Sequence, residues 1–195
     1  MSWRDSINEL PREQRNLVLG GGLSQRFIRM PLDLSHPAFI GALYGLLISL
    51  ALLLPMGQFT EWDLMDWWKT FLMHALILVT SSSLLGLISR ISVGISKRNP
   101  LAPPRKLLYP MPFIGLSWLT LEMTEIVDFW VLGAWLCLLL PGPIYIHMSW
   151  APRWRLLSML EANIDPFDGN ETPFEKEPQV GDEELEEVVA KFEEE

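Results

Sequence analysis

The stretch Ser89-Arg90-Ile91-Ser92-Val93-Gly94-Ile95-Ser96-Lys97-Arg98-Asn99-Pro100-Leu101-Ala102-Pro103-Pro104-Arg105-Lys106 carries five cationic side chains and no carboxylate. Long apolar runs lie on both sides of it. Lys and Arg are the residues hardest to carry across a bilayer, so a basic connector between apolar runs marks the cytoplasmic face. The rest of the chain can be oriented from this connector.

The chain has 195 residues, 49% of them hydrophobic, with a mean hydropathy of +0.20. The apolar residues are gathered in blocks of about twenty, the length that spans a ~30 Å hydrocarbon core as a helix. The one cysteine, Cys137, lies inside such a block. One cysteine excludes an intrachain disulfide framework, a CxxC redox pair and a cysteine zinc site. The polar segment before Pro37 is too long and too mixed for a signal-peptide n-region, so the first span is expected to be its own uncleaved insertion signal.

The net charge of −9 divides unevenly. From Glu161 onward there are fourteen acids against Lys176 and Lys191, which leaves residues 1 to 160 slightly basic. An acidic tail repels phosphates and argues against a nucleic-acid partner.

Four spans are expected, at about residues 37–55, 69–88, 107–121 and 129–148. In the first, Gly41, Gly45 and Ser49 recur every fourth residue, a small-residue face that lets another helix approach closely. The turn after it holds Glu61, Asp63 and Asp66, and its flanking Trp62, Trp67 and Trp68 suit an aromatic belt at the outer interface. Span two carries the small polar run Thr80 to Ser83, read as packing. Pro110 and Pro112 in span three predict a helix opened by prolines or a broken one, and Pro141 and Pro143 in span four predict a kink or an early end. Glu122, Glu125 and Asp128 form the second outer turn. Merging residues 107 to 148 into one span would place these acids in lipid, at roughly 2.5–3.5 kcal/mol for a central aspartate. Basic residues lie in the leader, the connector and the segment after span four, so both termini are expected inside.

Residues 1–36 form a cytoplasmic leader, with a short helix from Pro11 to Leu19 ended by Gly20-Gly21-Gly22. Residues 149–163 read as an interfacial segment. Residues 164–195 read as an acidic cytoplasmic tail, unstructured at first because prolines and glycines break its periodicity. Asp182 is placed to cap a last helix whose Leu185, Val188, Val189 and Phe192 share one face, an element suited to docking in a partner's groove.

Few constellations suggest chemistry. Glu122, Glu125 and Asp128, three residues apart, are the candidates for a metal or a pore mouth on the outer face; loops simply left without Lys or Arg are the favoured explanation. His36 and His147 share the inner boundary, whereas His74 lies in the outer half at the depth of Ser117, the geometry a serine-histidine dyad would need. The Asn170-Glu171-Thr172 sequon falls on the inner side and reads as chance. There is no GxSxG, P-loop, GxGxxG or HExxH, and no cofactor is expected.

The fold class read from these features is all-α: an integral membrane four-helix bundle, amino and carboxyl termini inside, with an acidic tail ending in a short amphipathic helix. The expected location is the cell membrane. The expected role is non-catalytic, an accessory or anchoring subunit of a membrane complex that recruits a protein partner through its tail. The alternatives are a small cation or solute transporter using the outer carboxylates, and an intramembrane hydrolase. Besides the lipid bilayer, the partner's identity and the oligomeric state are not legible.

Overall fold

Prolines and capping side chains set the helix boundaries. The computed structural model describes residues 7, 8, 10–124, 126 and 130–167. The chain divides into two units, Met1–Ile164 and Asp165–Glu195, and the first is the subject below. Among the described residues every regular element is helical.

The leader forms α1 (Arg12–Leu19), preceded by Pro11, and α2 (Gly22–Ile28). Gly20 joins them at φ +61°, a backbone conformation that glycine adopts without steric cost. After a turn at residues 31–36, α3 (Pro37–Ala51) opens with Pro37 in its first turn, and the His36 Nδ1 accepts from the Ala38 amide at 3.2 Å.

The first apolar run does not stop at Pro55. It bends by 45° at Leu52 and continues as α4 (Leu53–Phe59). Pro55 has no N–H for the carbonyl of Ala51 and its ring crowds that carbonyl, so the break falls one turn before the proline. A tight turn follows, with Glu61 and Trp62 at φ 52° and 61°.

The next helix, α5 (Leu64–Ser96), is 33 residues long. The Asp63 carboxylate caps it, accepting from the amides of Met65 and Asp66 at 3.0 and 2.9 Å. Lys97, left-handed at φ 50°, ends it. The helix therefore exceeds the expected span 69–88 at both ends. Ser89 to Ser96, read from sequence as the start of a connector, is its last two turns, and the connector proper begins at Lys97.

A short α6 (Arg105–Leu108) leads into α7 (Met111–Met123). Pro110 and Pro112 fix where α7 starts, and its 13 residues measure about 20 Å, short of a ~30 Å core. The last helical run, Val131–Glu161, spans 31 residues. It comprises α8 (Val131–Leu139), α9 (Pro141–Tyr145), a π-helical turn (Ile146–Trp150) and α10 (Ala151–Glu161). Pro141 and Pro143 interrupt the hydrogen-bond ladder near Leu140 without ending the run, which carries the fourth apolar segment and the expected interfacial segment as one piece.

Two helices, α5 and the run Val131–Glu161, are long and apolar enough to cross a membrane; the bent α3–α4 pair makes a third if it counts as one span. Only 17% of the most apolar window of α5, and 33% of that of the last run, is buried in the protein. A helix that is apolar all round and left uncovered by its own chain suits lipid as its surroundings.

Helix α3 crosses α5 at close range. A Cβ on Gly41 would collide with the Ser82 carbonyl, and one on Gly86 with the Pro37 carbonyl; one on Gly45 would lie 2.5 Å from the Leu78 oxygen. Ser49, on the same face of α3, is buried and returns its hydroxyl to the Gly45 carbonyl at 2.8 Å. Helices α7 and α8 form a second close pair, where Gly115 meets the backbone of Ala134 and Leu138. Tyr44 links the pairs, donating to the Leu138 carbonyl at 2.6 Å. Ile48, Leu52, Met56, Phe71, Leu78, Leu119, Ala134 and Leu138 form the core between them.

Candidate functional site

The densest polar architecture lies where the carboxyl end of α5, the connector, the leader and the end of the last helical run meet. It starts with Pro152. A proline there removes the amide that would bond the Met148 carbonyl one turn earlier. The helix widens instead: the Ala151 amide bonds Ile146, five residues back. Two carbonyls are thereby freed, and both receive the connector. Arg98 Nη2 donates to His147 at 2.5 Å, and the Leu101 amide donates to Met148 at 2.9 Å.

One turn further, Trp150 and Trp154 share a helix face and hold the turn before α3. Trp150, fully buried, donates its indole N–H to the Ser35 carbonyl at 2.7 Å. Trp154 donates to Leu32 at 3.0 Å. Phe27 meets Trp150 edge-on at 5.0 Å, and His36 meets Trp154 at 4.8 Å. The guanidinium of Arg90 lies 5.2 Å from the Trp154 ring centre, a cation–π distance.

Arg153 ties in the leader. It is 7% exposed and donates to the carbonyls of Leu17, at the end of α1, at 3.2 Å and Ser149 at 3.0 Å, and to the Ser149 hydroxyl. Glycine suits position 20 by its positive φ, and a Cβ there would have to displace the end of the Arg153 side chain. Tyr145 and Ser24 share a 2.9 Å hydrogen bond beside it, and Arg155 donates to the Lys97 carbonyl at 3.0 Å. His36 has its pKa lowered, first by burial and then by the nearby charge of Arg90.

Charge is segregated along the long axis of α5. Arg90, Lys97, Arg98, Arg153 and Arg155 gather at its carboxyl end, whereas Glu61, Asp63 and Asp66 with three tryptophans surround its amino end, about 50 Å away by helix length. Lys69, paired with Asp66 at 3.7 Å, belongs to the acidic end. None of the five cations at the basic end forms an ion pair with a carboxylate among the described residues.

The residues singled out from sequence are placed as follows. Gly41, Gly45 and Ser49 lie in the α3–α5 interface. Glu122 is in the last turn of α7; Glu125 and Asp128 lie outside the described residues, as do Leu185, Val188, Val189, Phe192 and the sequon at Asn170. No group of three metal-capable side chains occurs among the described residues. His36 caps α3 and His147 sits in the π-helical turn, each at the basic end. His74 Nδ1 donates to the Thr70 carbonyl at 2.8 Å and borders an apolar pocket of about 120 Å³, which Ser117, exposed on α7, does not line. No hydrogen bond joins Ser117 to His74 among the described residues. Sequence reasoning missed the π-helical turn and the Trp150–Arg153–Trp154 clamp; the readable signals were Pro152 at the end of an apolar run and two tryptophans four residues apart.

Set against known protein families, curated proteins and solved structures, the chain matches none.

Proposed function

We propose that this chain is a non-catalytic multi-pass membrane protein of the cell membrane, an accessory or anchoring subunit that recruits a protein partner through its acidic tail. The observation that carries the membrane part is the uncovered apolar surface of α5 and of Val131–Glu161, joined to the separation of cations and carboxylates at opposite ends of α5. In this reading the basic end faces the cytoplasm. The chain enters the bilayer four times, α7 as a short segment, and both termini are inside. The clamped leader and connector form a cytoplasmic platform, and the acidic tail with Leu185, Val188, Val189 and Phe192 is the segment that binds the partner. Mid-membrane charges of the kind pumps and transporters use are lacking in the apolar segments, which supports a scaffolding role over transport.

Two measurements test it. With Cys137→Ser as background, single cysteines at Lys97 and Glu195 should react with an impermeant reagent only after the membrane is opened from the cytoplasmic side. Purification in a mild detergent should yield stoichiometric companions that are lost when residues 181–195 are deleted. Solute flux by the isolated protein in liposomes, with no companion subunit, would replace this reading with the transporter.

A further inference from the structure

The small polar run of α5 divides in the structure. Ser82 is buried against α3, whereas Thr80 is exposed. Thr80 is the central residue of the 33-residue helix, about 24 Å from either end. Its hydroxyl has no hydrogen-bond partner among the described residues. The hydroxyls of Ser49, Ser89 and Thr120, by contrast, each return to the carbonyl four residues back at 2.8 Å. In the middle of a bilayer there is no water to take up a hydroxyl, and a neighbouring helix supplies its partner.

The face around Thr80 is continuous. At 100° per residue, Met73, Leu76, Leu84, Leu87 and Ile91 fall within about 40° of it, and each is exposed, from 38% at Leu87 to 70% at Leu76. The residues that α5 buries, Phe71, Leu78, Ser82 and Ser89 among them, lie on the opposite side. Steps of three and four residues make the exposed face a seam of the kind along which two helices pack. At its amino end Asp66 and Lys69 pair at 3.7 Å, each side chain 69% exposed, and they flank the line through Thr80 on its two sides. A two-fold axis parallel to α5 therefore sets Asp66 of each copy beside Lys69 of the other. It also brings together two Thr80 hydroxyls, each able to donate and to accept. Acyl chains offer that hydroxyl nothing, and copies inserted in the same sense run parallel. We propose that the face of α5 centred on Thr80 is a homodimer interface, covered by the same face of a second, parallel copy of this chain. This inference rests on the membrane-embedded reading above.

The test uses the full chain in membrane vesicles, on a Cys137→Ser background, with Met73→Cys, Thr80→Cys, Leu87→Cys and Leu85→Cys made singly and oxidised. Disulfide-linked dimers should form at the first three, whose seven-residue spacing follows the seam. They should not form at Leu85, which is 44% exposed but turned about 140° from Thr80. Thr80→Val keeps the shape and removes the hydroxyl. It should weaken dimerisation of the full chain in micelles, read by energy transfer between labelled copies, roughly tenfold, since each copy loses a bond. Asp66→Lys should weaken it too, and Asp66→Lys/Lys69→Asp should restore it. Equal cross-linking at Leu85 and Thr80, or wild-type dimerisation by Thr80→Val, would overturn the proposal. Cross-linking along the seam to a protein of different mass would overturn the second copy as occupant. Release of the chain from the vesicles by alkaline carbonate would instead overturn the membrane reading, whereas a chain that stays embedded yet monomeric overturns the dimer alone.

Discussion

Replacing Gly45 by alanine isolates the energy of the α3–α5 crossing. The added Cβ would lie 2.5 Å from the Leu78 oxygen and 2.8 Å from both the Leu78 carbonyl carbon and the Val79 Cα. All three atoms are main chain, so no side chain can rotate away. Restoring an ordinary 3.4 Å contact requires the helices to part by about 0.9 Å. Overpacking of this kind costs about 1–3 kcal/mol, while glycine to alanine inside a helix returns about 1 kcal/mol of propensity. Gly94, on α5, supplies the reference, since a Cβ there meets nothing within 4 Å. Gly94→Ala therefore carries the propensity gain alone. The difference between the two variants cancels that gain and should leave about 1–3 kcal/mol against Gly45→Ala. Reversible denaturant unfolding in mixed micelles, followed by circular dichroism, measures both. Equal stability of the two alanine variants would show that the helices do not cross at Gly45 and would refute the packing described here.

Three other outcomes follow from the basic end. Trp150→Phe keeps most of the buried ring but strands the Ser35 carbonyl, and should cost about 1–3 kcal/mol in the same unfolding assay; the half-buried Trp154→Phe should cost less. Pro152→Ala returns an amide to the Met148 carbonyl in competition with Leu101, and should speed hydrogen exchange at the Leu101 amide and protease cleavage within residues 97–105. For His36, the lowered pKa means the unfolded chain binds the proton more readily. Stability should thus be full above the ordinary histidine value near 6.5 and decline as pH falls from there through the lower folded value. His36→Asn, which retains a capping oxygen, should flatten this decline; an unchanged pH profile would show that His36 is not its source.

How far the sequence could be read differed by element. Helical class and the two long apolar helices follow from block hydropathy, because twenty uncharged residues have few other ways to satisfy their backbone. Helix ends were less legible. Hydropathy falls at Ser89, yet α5 runs on to Ser96, since a helix is ended by backbone geometry at Lys97 and not by a change in polarity. The spacing of Gly41, Gly45 and Ser49 is visible in the sequence, but the surface opposite them, Leu78, Ser82 and Gly86, depends on a crossing that no local pattern encodes. The basic end was legible as charge and opaque as architecture. Arg153 and Arg155 stand out as cations, whereas their bonds to Leu17 and Lys97 join residues 136 and 58 positions apart.

The widened turn at Ile146–Trp150 has a consequence for how this chain tolerates change in length. A π-helical turn holds one residue more than an α-helical turn over the same rise, and each residue advances the helix by about 100°. Removing a single residue between Ile146 and Trp150 would restore an α-helical turn over the same rise and leave the residues beyond it facing as before. Trp154 would stay on Leu32, Arg153 on the leader and Arg155 on Lys97, whereas one codon lost from the α-helical turns of Val131–Leu139 would swing all three away by about 100°. Near Ser158, beyond the clamp, the same deletion would displace only the last turn.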